Sequence, residues 1–129
     1  MFHREREVKI MKLWLDDLRP APEGYIWVKT VDEAIYELIR YQKEIDFCWQ
    51  HYILGISDKE TLERHLKVWC IEEVSCDNDL GEYEVEGYKL LDWLEATGRA
   101  YPIHIHSSNP VARERMRAII QRNGWREIR

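Results

Sequence analysis

Three short clusters of side chains in this chain could do chemistry together. "KLWLDDLRP" (12–20) ends an apolar run on Asp16 and Asp17, with Arg19 two residues on. "VSCDNDLG" (74–81) ends another on Asp77, Asn78 and Asp79. "HIHSSNP" (104–110) supplies His104, His106, Ser107, Ser108 and Asn109. Three or four carboxylates gathered in one pocket cannot all stay ionised and unpaired, so raised pKa values or a cation must relieve them. Hard oxygen donors select Mg²⁺, Mn²⁺ or Ca²⁺. Mg²⁺ commonly takes one or two protein carboxylates and keeps waters, which leaves room for a phosphate oxygen. Asp16, Asp17 and Asp77 are therefore candidate ligands for Mg²⁺ or Mn²⁺. Alternatively, Asp16-Asp17 caps a turn and 77–79 forms an Asx-turn.

Ser107, Ser108 and Asn109 stand where a strand meets a helix start, a position whose N–H groups and dipole favour an anion. One of them also serves as an ordinary N-cap. His106 has the pKa range of a general acid or base, or is a satisfied, partly buried histidine. His104 shares its strand face. A His-x-His pair suggests zinc, but no cysteine is suitably spaced to complete such a site. Arg19 either clamps a phosphate bidentately or pairs with an acidic neighbour.

The elements that must position these residues are legible around them. "MKLWL" (11–15), "YIWVKT" (25–30), "IEEVSC" (71–76) and "YPIHIH" (101–106) read as strands, and "WREIR" (125–129) as a last edge strand. Thr30 and Glu33 have the capping-box spacing and predict a helix with Ala34, Ile35, Leu38 and Ile39 on its buried side. Ser57 and Glu60 predict a second, while 44–56 stays ambiguous. Helices are also expected from about Gly87 to Thr97, with Gly98 as C-cap, and from Asn109-Pro110 to Asn123-Gly124. Trp14, Trp27, Trp69 and Trp93 are expected in the core. Alternating strands and helices imply an α/β fold, a mostly parallel sheet with helices on both faces. Its carboxyl edge would gather the three clusters, and ligands of such sheets bind there.

The composition fits one domain: 129 residues, 33% charged and 45% hydrophobic. Residues 1–10 read as an N-terminal extension without the apolar core of a signal peptide, and 11–129 as a single domain. No apolar stretch is long enough for a membrane helix. Three cysteines without CxxC spacing suggest reduced thiols, so a cytoplasmic location is expected. The net charge of -5 argues against general DNA binding. The excess of arginine in 113–129 leaves local attraction for a phosphate.

Together, "LDDLRPAPEG", "VSCDNDLG", "GYKLLDWLE" and "IHSSNPVARERM" resemble the cyclic-phosphate processing receiver domains over residues 11 to 122. The resemblance implies a receiver-like α/β fold in which Asp16 and Asp17 are the metal-binding acidic pair and Asp77 the central aspartate. Ser107 would be the hydroxyl contact, flanked by His106 and Asn109. Asp79 belongs to the second motif, in which Asn78 replaces a more usual histidine. Two departures from ordinary receivers stand out. About eight residues join the first two strands, so the first helix must be degenerate and strand two could run antiparallel. No lysine follows a fifth strand, where Arg126 or Arg129 stands instead. The stretch 43–70 reads as a helical insertion.

Two functions follow as expectations. One is a metal-dependent phosphoesterase acting on a cyclic phosphate, nucleotide or RNA end. In it Asp77, Asp79 and His106 would be catalytic, and Arg19, Ser107, Ser108 and Asn109 would bind phosphate. The other is a non-catalytic receiver-like signalling or ligand-binding module. A haloacid-dehalogenase-like phosphatase, suggested by Asp77-x-Asp79, fits less well because Gly81 stands where that pattern has Thr or Val. The oligomeric state is left open.

Overall fold

The computed structural model describes residues 9–129. The expected N-terminal extension lies outside the described residues up to position 8, and Lys9 and Ile10 already belong to the first strand. The elements run β1 (Lys9–Leu15), β2 (Ile26–Val28), α1 (Val31–Ile53), α2 (Lys59–Val68), β3 (Trp69–Cys76), α3 (Tyr88–Ala96), β4 (Ile103–Ile105), α4 (Pro110–Asn123) and β5 (Glu127–Ile128). The five strands form one sheet in the order β2-β1-β3-β4-β5. Every pairing is parallel. This is the flavodoxin-like strand order, whose switch point lies between β1 and β3.

β2 is thus parallel to β1, not antiparallel. The loop 16–25 suffices because β2 pairs only with Leu13–Leu15. The chain needs to drop back by only about 10 Å, three residues of strand rise, before pairing begins. No helix forms in that connection.

The remaining crossovers, β2 to β3, β3 to β4 and β4 to β5, all step across the sheet in the same direction. Right-handed connections then send their helices to one face. The burial pattern agrees. Met11, Leu13, Leu15, Val74, Cys76, Ile103 and Ile105 are buried with Leu38 of α1, Leu90 and Leu94 of α3, and Met116 and Ile120 of α4. Alternate residues point the other way. They form rows across the sheet: Trp27, Trp14, Ser75 and His104 in one, Lys12 and Glu73 in the next. A second helical layer was expected on this face. Only the missing β1–β2 helix would have run there, so among the described residues the face carries polar and aromatic side chains instead.

α1 is continuous through the segment that was ambiguous in sequence, and 43–70 comprises its second half, α2 and the start of β3. Thr30 caps α1, accepting the Glu33 N–H at 3.1 Å, while the Glu33 carboxylate takes the Lys29 N–H at 2.8 Å. α2 is capped by Asp58 rather than Ser57, because the Asp58 carboxylate reaches the Thr61 N–H at 2.8 Å. Gly98, at φ 69°, ends α3 in a left-handed turn, with the Arg99 N–H donating back to Leu94. Cys48, Cys70 and Cys76 are unpaired thiols.

Candidate metal and phosphate site

The strand ladder extends one residue past each strand end. The Asp16 N–H bonds the Val28 carbonyl at 3.0 Å, the Asp77 N–H bonds Leu15 at 2.9 Å and the His106 N–H bonds Cys76 at 3.0 Å. By strand alternation Asp16, Asp77 and His106 form the top row of the open face, directly above Trp14, Ser75 and His104. Asp17 follows as the chain turns away. One carboxylate oxygen from each of Asp16, Asp17 and Asp77 lies within 4.8 Å of the others. Asp16 and Asp77 are buried and Asp17 is half-buried. Three carboxylates at this spacing, with water on one side, suit a hard divalent cation.

Arg19 is drawn into this cluster. Its Nε lies 3.0 Å from Asp16 Oδ2 and its Nη2 3.5 Å from Asp77 Oδ2. The side chain expected to clamp a phosphate therefore serves as counter-cation, leaving about half of its surface exposed. Asp16 also closes an Asx-turn, its Oδ1 accepting the N–H groups of Leu18 at 2.9 Å and Arg19 at 2.8 Å. Turn cap and candidate ligand are one residue. Two tryptophans pin this loop from outside the core: Trp27 Nε1 donates to the Asp16 carbonyl at 2.7 Å and Trp14 Nε1 to the Arg19 carbonyl at 2.9 Å. The expectation of four core tryptophans is corrected accordingly: Trp27 is exposed and Trp14 and Trp69 are half-buried, while Trp93 packs against the core.

The two buried carboxylates are pushed apart in acidity. Burial alone would raise Asp16, but the backbone N–H groups of Arg19 and Leu18, the His106 bond and the Arg19 charge hold it below the usual carboxylate value. Asp77 is raised, first by burial and then by the Asp16 charge, against the Asn78 N–H and Arg19.

His106 is sandwiched on the open face. Its ring stacks on Trp14 with centroids 3.8 Å apart. Its Nδ1 meets the Ser75 hydroxyl at 2.8 Å and its Nε2 meets Asp16 Oδ2 at 3.1 Å. Burial lowers its pKa to about 4 despite the opposing pull of Asp16. The ring is neutral near pH 7 with both nitrogens engaged, so its direct contact is with a candidate metal ligand. His104 turns its Nδ1 to the same Ser75 hydroxyl at 2.7 Å. The two imidazoles share a hydroxyl rather than converge on a zinc position.

The second cluster splits by role. Asn78 is fully buried and latches the loop that follows. Its Nδ2 donates to Glu86 at 3.0 Å, and its Oδ1 accepts the Tyr88 N–H at 3.1 Å. Its carbonyl accepts the Gly87 N–H at 2.8 Å. Gly87 must be glycine because a Cβ there would overlap the Asp77 carbonyl. Asp79 instead stands exposed on the rim of an open groove of about 600 Å³, with Asp17, Glu82, Glu84, Glu86 and Asn109.

In the third cluster Ser107 is buried, its hydroxyl accepting the Asn109 N–H at 3.1 Å. Asn109 caps α4, its Oδ1 accepting the Val111 and Ala112 N–H groups at 3.1 Å each. Pro110 has none to offer, so the N–H groups expected to hold an anion there are already committed. The exposed Ser108 hydroxyl and the Asn109 amide remain as donors at this edge. Sequence reasoning missed Ser75, Trp14 and Gly87. The polar Glu73 and Ser75, two apart in β3 and in phase with Asp77, were the available signal for the first.

The sequence model of the family described as "Cyclic-phosphate processing Receiver domain" matches residues 11–61 and 50–122. No curated protein and no solved structure matches the chain.

Proposed function

The chain belongs to the cyclic-phosphate processing receiver domain family, and from that premise we propose that it is a metal-dependent phosphoesterase acting on a cyclic phosphate, a nucleotide or an RNA end. The observation that carries this reading is the carboxylate triad Asp16, Asp17 and Asp77 at the carboxyl edge of the sheet. Its donor chemistry fits Mg²⁺ or Mn²⁺, and a single Arg19 leaves most of the triad's charge unbalanced. A bound cation would polarise a phosphoryl oxygen and make water more acidic.

The chain's own residues supply the rest. Asp16 is held at both oxygens by the Leu18–Arg19 turn and His106. Arg19, released from the carboxylates, has the planar fork that grips a phosphate. Ser108, Asn109 and the positive end of the α4 dipole face the same anion. The Ser107 hydroxyl keeps donor capacity beside them. Exposed Asp79 accepts a proton at the rim, and His106 holds one at Nε2 against Asp16. In the reaction a water oxygen bonds to phosphorus, one ring P–O bond breaks, and the water proton ends on the departing ring oxygen. The product is a phosphomonoester. The partner on this reading is a phosphate-containing small molecule or RNA end, and no described helix is long and apolar enough to cross a membrane.

The test is turnover with Mg²⁺ or Mn²⁺ of 2′,3′-cyclic, 3′,5′-cyclic and linear phosphates, with Asp77→Asn as control. Metal-dependent hydrolysis lost in that variant is the expected result. Silence across the panel, with metal binding measured separately, favours the alternative, a receiver-like binding or signalling module. The engagement of both His106 nitrogens gives that alternative its support. A stable beryllofluoride adduct at Asp77 would mark it.

A further inference from the structure

Ser75 is the penultimate residue of β3, fully buried, with its hydroxyl between two imidazoles. The Oγ is 2.7 Å from His104 Nδ1 and 2.8 Å from His106 Nδ1. A serine hydroxyl carries one hydrogen and two acceptor lone pairs, so it cannot donate to both rings. The far side of His106 decides which ring receives the hydrogen. His106 Nε2 is 3.1 Å from Oδ2 of Asp16, an ionised carboxylate at neutral pH, and the contact requires a hydrogen on Nε2. A neutral ring protonated there has a bare Nδ1, which accepts from Ser75. Ser75 then accepts from His104, which must carry its hydrogen on Nδ1. The chain has one polarity: His104 Nδ1–H to Ser75, Ser75 O–H to His106, His106 Nε2–H to Asp16.

We propose that Ser75 and His104 are positioning residues that anchor the Nδ1 side of the His106 ring and, through its Nε2–H, fix Asp16 Oδ2 where a divalent cation meets it. Hydrogen-bonded outer residues commonly set ligand orientation in this way. The fold prepares the arrangement by simple alternation. Residues 73, 75 and 77 share a face with 104 and 106, and the register pairs Ser75 with both Trp14 and His104. Trp14 stacks flat on His106, 4° from parallel, and opposes rotation of its ring. Glu73, which accepts the Tyr25 hydroxyl at 2.7 Å, lies 4.0 Å from His104 Nδ1 and favours a hydrogen on that nitrogen. The importance of Asp16 rests on the phosphoesterase reading. The ring tautomers do not.

The experiment is long-range ¹H–¹⁵N NMR of the full chain labelled in histidine, at neutral pH without metal, with His106 assigned by loss of its signals in His106→Gln. The expected spectrum has hydrogen on Nε2 of His106 and on Nδ1 of His104. Asn places a donor where His Nδ1 stands, so His104→Asn preserves the His106 pattern. His104→Leu and Ser75→Ala leave the hydrogen on Nε2, where Asp16 demands it, but shift the His106 Nδ1 resonance as its bond from Ser75 weakens or is lost, and weaken Mn²⁺ binding by about tenfold. A wild-type His106 protonated on Nδ1, or a His104→Leu protein whose His106 Nδ1 resonance and Mn²⁺ affinity both match wild type, overturns the proposal. Neither readout needs turnover, so a silent hydrolysis screen leaves this inference standing, and its failure leaves the phosphoesterase reading open.

Discussion

Arg19 occupies a cation position beside Asp16: its Nε lies 3.0 Å from Asp16 Oδ2 while its Nη2 reaches toward Asp77 at 3.5 Å. A divalent ion entering the triad must displace it. Arg19→Gln is therefore expected to tighten Mn²⁺ binding by about tenfold, ~1.4 kcal/mol. The partial exposure of Arg19 keeps the figure well below an interior ion-pair energy. Titration calorimetry of both proteins checks it. Weaker or unchanged binding would show that Arg19 does not compete with the ion. The same variant should also lose phosphate affinity in the presence of metal.

Asp77 sits partly buried against Asp16 with its pKa raised, first by burial and then by that neighbouring charge. Asp77→Asn relieves the repulsion and keeps an oxygen for the Asn78 N–H, now accepted at 2.8 Å. The metal-free protein should gain roughly 1 kcal/mol, as is common when a strained functional charge is removed. It should also lose most of the thermal stabilisation that Mn²⁺ gives the wild type. Melting curves with and without Mn²⁺ read both effects, and a destabilised metal-free variant would contradict the first.

Gly87→Ala drives a methyl group into the Asp77 carbonyl, a backbone atom that cannot swing aside. A loss of at least ~2 kcal/mol in urea unfolding is expected. Because the displaced atom belongs to Asp77, metal affinity should fall as well. A variant with native stability would mean that α3 can move without cost.

His106 makes stability depend on pH. Its pKa falls from the ordinary 6.5 to about 4 on folding, chiefly through burial. Between those values the unfolded chain binds a proton that the folded chain does not. The stabilisation is present above 6.5 and is lost as pH drops toward 4, by about 3 kcal/mol in all. Asp16, held below its usual value, extends the loss at still lower pH. Unfolding free energies from pH 7.5 to 4.5 test this. His106→Gln should show a shallower slope over the same interval.

Much of the site was legible because each cluster sits at the end of an apolar run. Asp16, Asp77 and His106 each follow a strand's last residue, and parallel strands bring such ends to one edge. What could not be read locally was anything fixed by direction across the sheet. Right-handedness puts all the helices on one side only once the strand order is known. Trp14 and Trp27 are apolar enough for a core, but their indole N–H groups find the carbonyls of a loop whose path sequence does not give. Ser57 and Asp58 are both good caps, and one residue of phase chose between them. The role of Gly87 depends on α3 touching the Asp77 backbone, a contact between segments ten residues apart. Asp79 looked equivalent to Asp77, yet the chain has left β3 by then and the Asn78 latch turns it to the rim.

The sheet face that no described helix covers gives the site a flank as well as a front. A substrate seated over the carboxyl edge would stopper the front, covering Asp17, Ser108 and the groove beside Asp79. It would leave His104 in contact with water, one third exposed lower on the same face. Solvent thus retains a side entrance to the line of hydroxyl and imidazole groups ending at Asp16, even while the main mouth is closed.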